Sequence, residues 1–208
     1  MKKLILLLLA MVVMIPAAEA KRRETPEEIE RKTRNYQGWE WGVNGRFNLV
    51  FFDMNYTKLI NEVGVKDYRA WAKFGGSATV NAGYFFNNHW RLGGEIGAQM
   101  QYDYTTIPVV ATLHYYYGQR KTCFFNYLNL GTNLVIDGGL RPGATGAAGL
   151  GIRIQSPESE TKYEITIGYQ TLMMRPRPDD SGQFGYMPKD VTRIKLDQSV
   201  FIGFGVFF

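Results

Sequence analysis

Two histidines, His89 and His114, one cysteine, Cys123, and few serines are what this chain offers for covalent or acid–base chemistry. Nucleophilic catalysis needs a nucleophile with a base beside it and a third group to orient that base. Ser181 has no histidine in its stretch of chain, and both histidines stand among aromatic residues far from it. Asp179 and Asp180 are adjacent acids, but Pro178 and Gly182 flank them, which reads as a solvated turn. A single cysteine excludes an internal disulfide and a cysteine-rich zinc site, and Cys123 reads as an inert small residue. His114 lacks the convergent partners that a metal needs. The run Gly138-Gly139-Leu140-Arg141-Pro142-Gly143 has neither the Lys-Ser/Thr pair nor the following helix of a phosphate loop, so it reads as a turn. The expectation is a protein that is not an enzyme, with no cofactor and no metal.

The elements that position these residues begin after an export signal. Lys2 and Lys3 precede an apolar stretch from Leu4 to Ile15, and Ala18-Glu19-Ala20 supplies a small-x-small cleavage site, so residues 1–20 read as a cleaved secretory signal peptide. Residues 21–37 form a polar N-terminal arm. Thr25, Pro26 and Glu28 predict a short helix in it, and with Ile29 as its one aliphatic residue that helix stays solvated.

From Gly38 to Phe208 the hydrophobic period is two and recurs about eight times. In the last stretch Ile194, Leu196, Val200, Ile202, Phe204, Val206 and Phe208 alternate with Arg193, Lys195, Asp197, Ser199, Gly203 and Gly205. Similar alternation runs through Trp39–Leu49, Phe74–Tyr84, Trp90–Met100, Ile107–Tyr117, Leu128–Ile136, Ala148–Ile154 and Tyr163–Met173. No Lys, Arg, Asp or Glu falls on the apolar parity. The fold class is therefore all-β, an eight-stranded antiparallel barrel. Which face points outward is a question of volume. Eight strands enclose a lumen just wide enough for side chains, and the apolar faces carry more bulk than that lumen admits. The apolar face is placed outward, against lipid.

The connections are expected to alternate, with short periplasmic turns at Asn87-Asn88, Gly118–Thr122 and Ser156–Thr161. Longer extracellular loops are expected at Asp53–Ala70, Gly138–Gly143 and Arg175–Thr192, beside a brief Gln101–Thr105 link. The short-turn end carries Trp39, Trp41, Tyr84, Phe86, Trp90, Tyr115, Tyr117, Phe124, Tyr163 and Phe208, amphipathic rings suited to the headgroup level, so a periplasmic aromatic girdle is predicted there. Pro108 removes a ladder donor inside a strand and predicts a bulge near the rim.

The inward parity gathers Glu40, Arg46, Lys73, Arg91, Glu95, Asp137, Arg153, Glu164, Arg193, Lys195 and Asp197. Buried charges of mixed sign must pair. They predict a filled polar lumen held by ion pairs, and their near balance argues against strong ion selectivity.

The alternating final strand ending in Phe207-Phe208, and the stretch Ile107-Pro108-Val109-Val110-Ala111-Thr112-Leu113-His114-Tyr115-Tyr116-Tyr117, resemble small Gram-negative outer-membrane β-barrel proteins of the OmpA/OmpX-like or PorT-like kind. The resemblance covers Gly38 to Phe208. The peptidoglycan-binding domain of full-length OmpA-type proteins has no counterpart in it. It implies an outer-membrane location, a monomer surrounded by outer-membrane lipid and lipopolysaccharide, and Phe208 as the signal read by the barrel-assembly machinery. Small barrels resembling lipid A deacylases and palmitoyltransferases work with a His, a Ser and an acid at the extracellular rim, parts that the long loops lack. A structural or surface-interaction role, through loops that meet a surface partner, is expected. A narrow porin-like path for small solutes is the alternative, and a lipid A-modifying enzyme a weaker one. Arg175-Pro176-Arg177-Pro178 reads as solvated loop charge before it reads as a lipopolysaccharide contact.

A formal charge of +5 invites nucleic acid, but its location removes that reading. The signal holds two Lys and one Glu, the arm six basic and four acidic residues, and the barrel sixteen basic and fourteen acidic, much of it lumenal.

Overall fold

A computed structural model describes residues 33, 36–59, 65–69, 72–102, 104–137, 140–155, 160–176 and 191–208, with the backbone alone at 57–59, 65–69, 137, 140, 176 and 191–193. The predicted signal peptide and the predicted arm helix lie outside the described residues, as does the 177–190 connection with Ser181 and Asp179-Asp180.

Nine strands follow in chain order: β1 (Gly38–Leu59), β2 (Val65–Arg69), β3 (Lys73–Phe85), β4 (Trp90–Gln101), β5 (Tyr104–Tyr116), β6 (Cys123–Asp137), β7 (Leu140–Gln155), β8 (Lys162–Pro176) and β9 (Val191–Phe207). Sequential strands from β3 to β9 pair antiparallel, β1 pairs with β3, and β1 also pairs with β9 from Gly42↔Phe207 to Leu59↔Val191. That last ladder closes an eight-stranded barrel and leaves it no edge. β2 pairs with β1 from Asp53↔Arg69 to Thr57↔Val65 on the side that β3 takes lower down, where the ladder ends at Val50↔Lys73, so it prolongs the β1–β3 hairpin rather than adding a ninth position to the barrel.

This corrects the expected loop at Asp53–Ala70. Its first part continues β1, and Val65–Arg69 folds back on it as a hairpin. The expected loop at Gly138–Gly143 contracts likewise, since β6 runs to Asp137 and β7 begins at Leu140. In both places polar and glycine-rich residues that read as turn chemistry are held in ladders by their neighbours, and tertiary pairing overrides local propensity.

The faces fall as their period dictates. Trp39, Phe74, Ile96, Leu130, Ile167, Ile202 and Phe204 all point outward and are exposed, whereas Asn48, Arg91, Gln99, Arg153, Asn133 and Ser199 are buried within. The inward-pointing glycines make room for large neighbours. A Cβ on Gly83 would stand 2.7 Å from the Arg91 guanidinium carbon, and one on Gly42 would meet the Phe207 ring at 2.5 Å.

Irregularities sit towards the β2 end. The β1–β9 register shifts between Val50 and Phe52, so Asp53, which would otherwise share the outward parity of Phe47 and Phe51, turns inward. The β4–β5 ladder runs to Ile96↔Val109 and resumes at Gln99↔Thr106, the interruption falling at Pro108, which has no N–H to give. The β5–β6 register shifts close by, between Thr105 and Thr106.

Candidate functional site

The lumen is built in layers that follow from register. Nearest the short turns, Arg153 on β7 lies opposite Glu164 on β8 and donates from Nε to Glu164 Oε1 at 2.7 Å. Its other two nitrogens cross the lumen to Glu40 on β1, Nη1 to Oε1 at 3.0 Å and Nη2 to Oε2 at 2.8 Å. Such a fork is a geometry that lysine has no means to reproduce. Arg91 on β4 brings Nε within 3.3 Å of Glu40 Oε2 and donates from Nη2 to Asn81 Oδ1 at 2.5 Å, and Lys162 Nζ lies 2.9 Å from Glu40 Oε1. Two carboxylates thus hold three cations, with Glu40, Glu164, Arg91 and Arg153 buried and Lys162 half-buried at the mouth.

Aromatic rings enclose this ionic layer. The Arg153 guanidinium lies 4.8 Å from the Tyr116 ring centroid, 5.3 Å from Phe85 and from Phe207, and 5.4 Å from Tyr36. The Tyr116 hydroxyl donates to Glu164 Oε1 at 2.9 Å and meets His114 Nδ1 at 3.1 Å. His114 stacks on Phe125 at 5.3 Å and is a buried lumen residue, as its parity suggests.

The end of the N-terminal arm closes the same mouth. Thr33 bridges to Arg120 in the β5–β6 turn. The Tyr36 backbone N–H donates to Asn88 Oδ1 at 2.7 Å in the β3–β4 turn, and its hydroxyl donates to Gln155 Oε1 at the end of β7. Its ring packs on Phe85 at 5.0 Å. Burial pushes the Tyr36 hydroxyl above the ordinary tyrosine value, with the Arg153 charge pulling the other way, so it remains a donor. At Thr33 and Tyr36 the end of the arm is therefore engaged with the barrel, although Thr33 is exposed.

A second layer pairs Arg46 with Glu95 at 2.6 Å, and Thr79 donates to the other Glu95 oxygen at 2.8 Å. Between these layers is an internal space of about 20 Å³, room for a water, lined by Asn44, Asn81, Glu95, His114, Asn129 and Glu164. Gln99 and Gln170 then exchange amide hydrogen bonds of 3.2 and 3.3 Å across the lumen. At the β2 end Asp53, Lys73, Lys195 and Asp197 meet through long ion pairs of 3.8 to 3.9 Å, and Tyr104 donates to Asp197.

The structure thus brings together nine of the eleven predicted lumen residues, Glu40, Arg46, Lys73, Arg91, Glu95, Arg153, Glu164, Lys195 and Asp197. The side chains of Asp137 and Arg193 lie outside the described residues. Asp53 and the inward aromatics Phe85, Tyr104, Phe125, Tyr127, Phe201 and Phe207 went unselected. Their signal was parity, since Phe201 and Phe207 share the odd positions of β9 with Lys195 and Asp197.

Of the predicted girdle, Trp39, Trp41, Tyr84, Phe86, Trp90, Tyr117, Phe124, Tyr163 and Phe208 are exposed on the outer face and Tyr115 half so. Several touch in chains, Trp39–Tyr84–Phe86 and Trp90–Tyr115–Tyr117 with centroids 4.8 to 5.5 Å apart, and Trp41 packs on Phe208 at 4.9 Å. Among the described residues no group of three or more His, Cys, Asp or Glu is arranged to hold a metal ion.

Closure by β1 and β9, an apolar outer face and a charged interior define the class, a small eight-stranded antiparallel barrel that is inside-out relative to a soluble protein. Its structure is similar to small outer-membrane barrels. The crystal structure of the outer membrane protein OprG from Pseudomonas aeruginosa aligns over 83% of this chain and 97% of its own, at 17% identity and a TM-score of 0.45. The solid-state NMR structure of outer membrane protein AlkL in DMPC lipid bilayers aligns over 91% and 96%, at 14% identity and 0.49. The crystal structure of Neisserial surface protein A aligns over 78% and 95%, at 13% identity and 0.36. No family model and no curated protein matches the chain.

Proposed function

We propose that the chain is an integral outer-membrane β-barrel, exported by a signal peptide cleaved after Ala20, whose lumen is sealed and whose work is done at its outward rim as a structural or surface-interaction protein. The observation that carries this is the outer face. Large apolar side chains cover it strand after strand, with Ile202 62% exposed and Met100 64% exposed, a surface that water would drive to aggregate and that lipid satisfies. The exposed aromatic chains at the short-turn end supply the headgroup girdle on this reading, lipid and lipopolysaccharide are the surrounding partners, and Phe208 ends the strand offered to the barrel-assembly machinery. The chain acts as a monomer, because closure leaves no strand edge for another copy.

A sealed lumen follows from Arg153. A solute crossing the short-turn mouth must separate its fork from Glu40 and Glu164, both buried, so conduction would expose unpaired charge. Cell fractionation with gel electrophoresis of unheated and heated samples tests the membrane placement. Recovery in the soluble fraction, or equal mobility of the two samples, refutes it. Planar-bilayer recording tests the seal, with no openings expected and regular openings restoring the narrow-pore reading.

A further inference from the structure

At the β2 end the lumen holds polar groups that the ion-pair layers leave unused. Gln101, only 9% exposed, points inward with neither amide atom hydrogen-bonded, and Asp197 Oδ1, on a residue 4% exposed, is likewise without a hydrogen-bond partner. The Gln101 amide lies where a Cβ on Gly75 would stand, so the glycine makes its position possible. A small space of about 10 Å³ adjoins them, lined by Asp53, Lys73, Gln101, Tyr102, Tyr104 and Asp197, among others. A buried amide and a buried carboxylate oxygen do not stay unbonded without a cost, so the site is shaped for something that both donates and accepts.

The charges narrow what that is. Among the described residues Asp53 and Asp197 balance Lys73 and Lys195, so these four favour neither an anion nor a cation. The small space takes one water-sized group, and Tyr102, 77% exposed, presents a ring beside it, with Lys73 Nζ 5.4 Å from the ring centroid. A group that donates and accepts, is neutral, and is attached to a body with apolar faces that settle on an aromatic ring is a sugar hydroxyl. We propose that this rim site binds a neutral saccharide, one hydroxyl seated between the Gln101 amide and Asp197 Oδ1 and the sugar face laid on Tyr102. The proposal rests on the reading that this end of the barrel faces outward, and it names the partner class that the rim takes there.

Saturation-transfer NMR on the full-length protein in detergent micelles tests it, with methyl glucoside and maltotriose as neutral probes and glucuronate and glucosamine as charged ones. Saturable transfer from the neutral probes is expected, with binding about ten-fold weaker in Gln101→Leu, which removes the amide and keeps an apolar filling. Tyr102→Ala, at an exposed position, should weaken maltotriose in a barrel that still shows its heat-dependent gel shift. Maltotriose and a maltotriosyl glycolipid in the same micelles separate a free sugar from a lipid-borne glycan, and binding of either supports the site. No transfer from any neutral probe, binding of the charged probes alone, or unaltered binding in both variants overturns it. If the gel shift is normal and the sugars do not bind, the saccharide site fails and the membrane barrel stands.

Discussion

Replacing Arg153 by methionine asks the most of the lumen. Methionine keeps much of the length of the apolar stem but removes the guanidinium, and with it the cation over the Phe85, Tyr116 and Phe207 rings and the bonds to Glu40 and Glu164, so the loss is chiefly electrostatic. Glu40 retains Lys162 at 2.9 Å and Arg91 at 3.3 Å. Glu164, among the described contacts, retains the Tyr116 hydroxyl at 2.9 Å. Most of the penalty therefore falls on one buried carboxylate, and breaking a buried pair in this way costs about 3–5 kcal/mol. If Glu164 is the cause, Arg153→Met combined with Glu164→Gln should recover about 1–3 kcal/mol of the sum of the single effects, because the two positions are in contact. Urea titration of the protein folded in lipid vesicles, read by tryptophan fluorescence and by gel mobility, supplies all four corners of the cycle. A single-variant cost below about 1 kcal/mol would refute the claim that Arg153 ties the lumen, and a coupling under about 0.5 kcal/mol would refute the part assigned to Glu164.

Three further outcomes follow from the same geometry. Ile202→Arg should destabilise by about 2–4 kcal/mol in vesicles, as a charge at the lipid face of a barrel does, whereas the same change on a water-exposed surface would stay within about 0.5 kcal/mol. Gly151→Val should cost about 1–3 kcal/mol in the same titration, since its Cβ would enter the Phe125 ring. Tyr36→Ala should lower stability by about 1–2 kcal/mol, by removing one ring from beside Arg153 and Lys162 and one hydrogen bond to Gln155, and the temperature of the gel shift should fall with it.

Strand existence and facing were legible because the alternating stretches, such as Trp39–Leu49 and Tyr163–Met173, each obey one period and carry their charges on one parity. The volume argument oriented that parity, and it works for β4 or β9 without knowledge of any neighbour. The interior was half legible. Charged residues such as Arg91 and Glu164 declare themselves by type, but Phe125 and Phe207 look like lipid-facing residues until their parity is set against that of Arg153 and Lys195. Their neighbours Gly42 and Gly151 were a second clue, because a ring enters an eight-stranded lumen only where a facing residue has given up its side chain. Asp53 was hidden by the shift between Val50 and Phe52, which changes parity within a strand that alternation alone treats as ended. Tyr36 was hidden by composition, since one aromatic in a charged arm reveals nothing of the mouth it fills.

The central claim is that the apolar face meets lipid while the charges close the interior. Its most direct measurement is the oxygen and water accessibility of spin labels placed in turn from position 198 to 206 on the otherwise native protein in vesicles. Strict alternation is expected, with labels at 200, 202 and 204 open to oxygen dissolved in lipid and those at 199, 201 and 203 shielded from it. Uniform accessibility to the aqueous probe along β9, or alternation of the opposite phase, would contradict it.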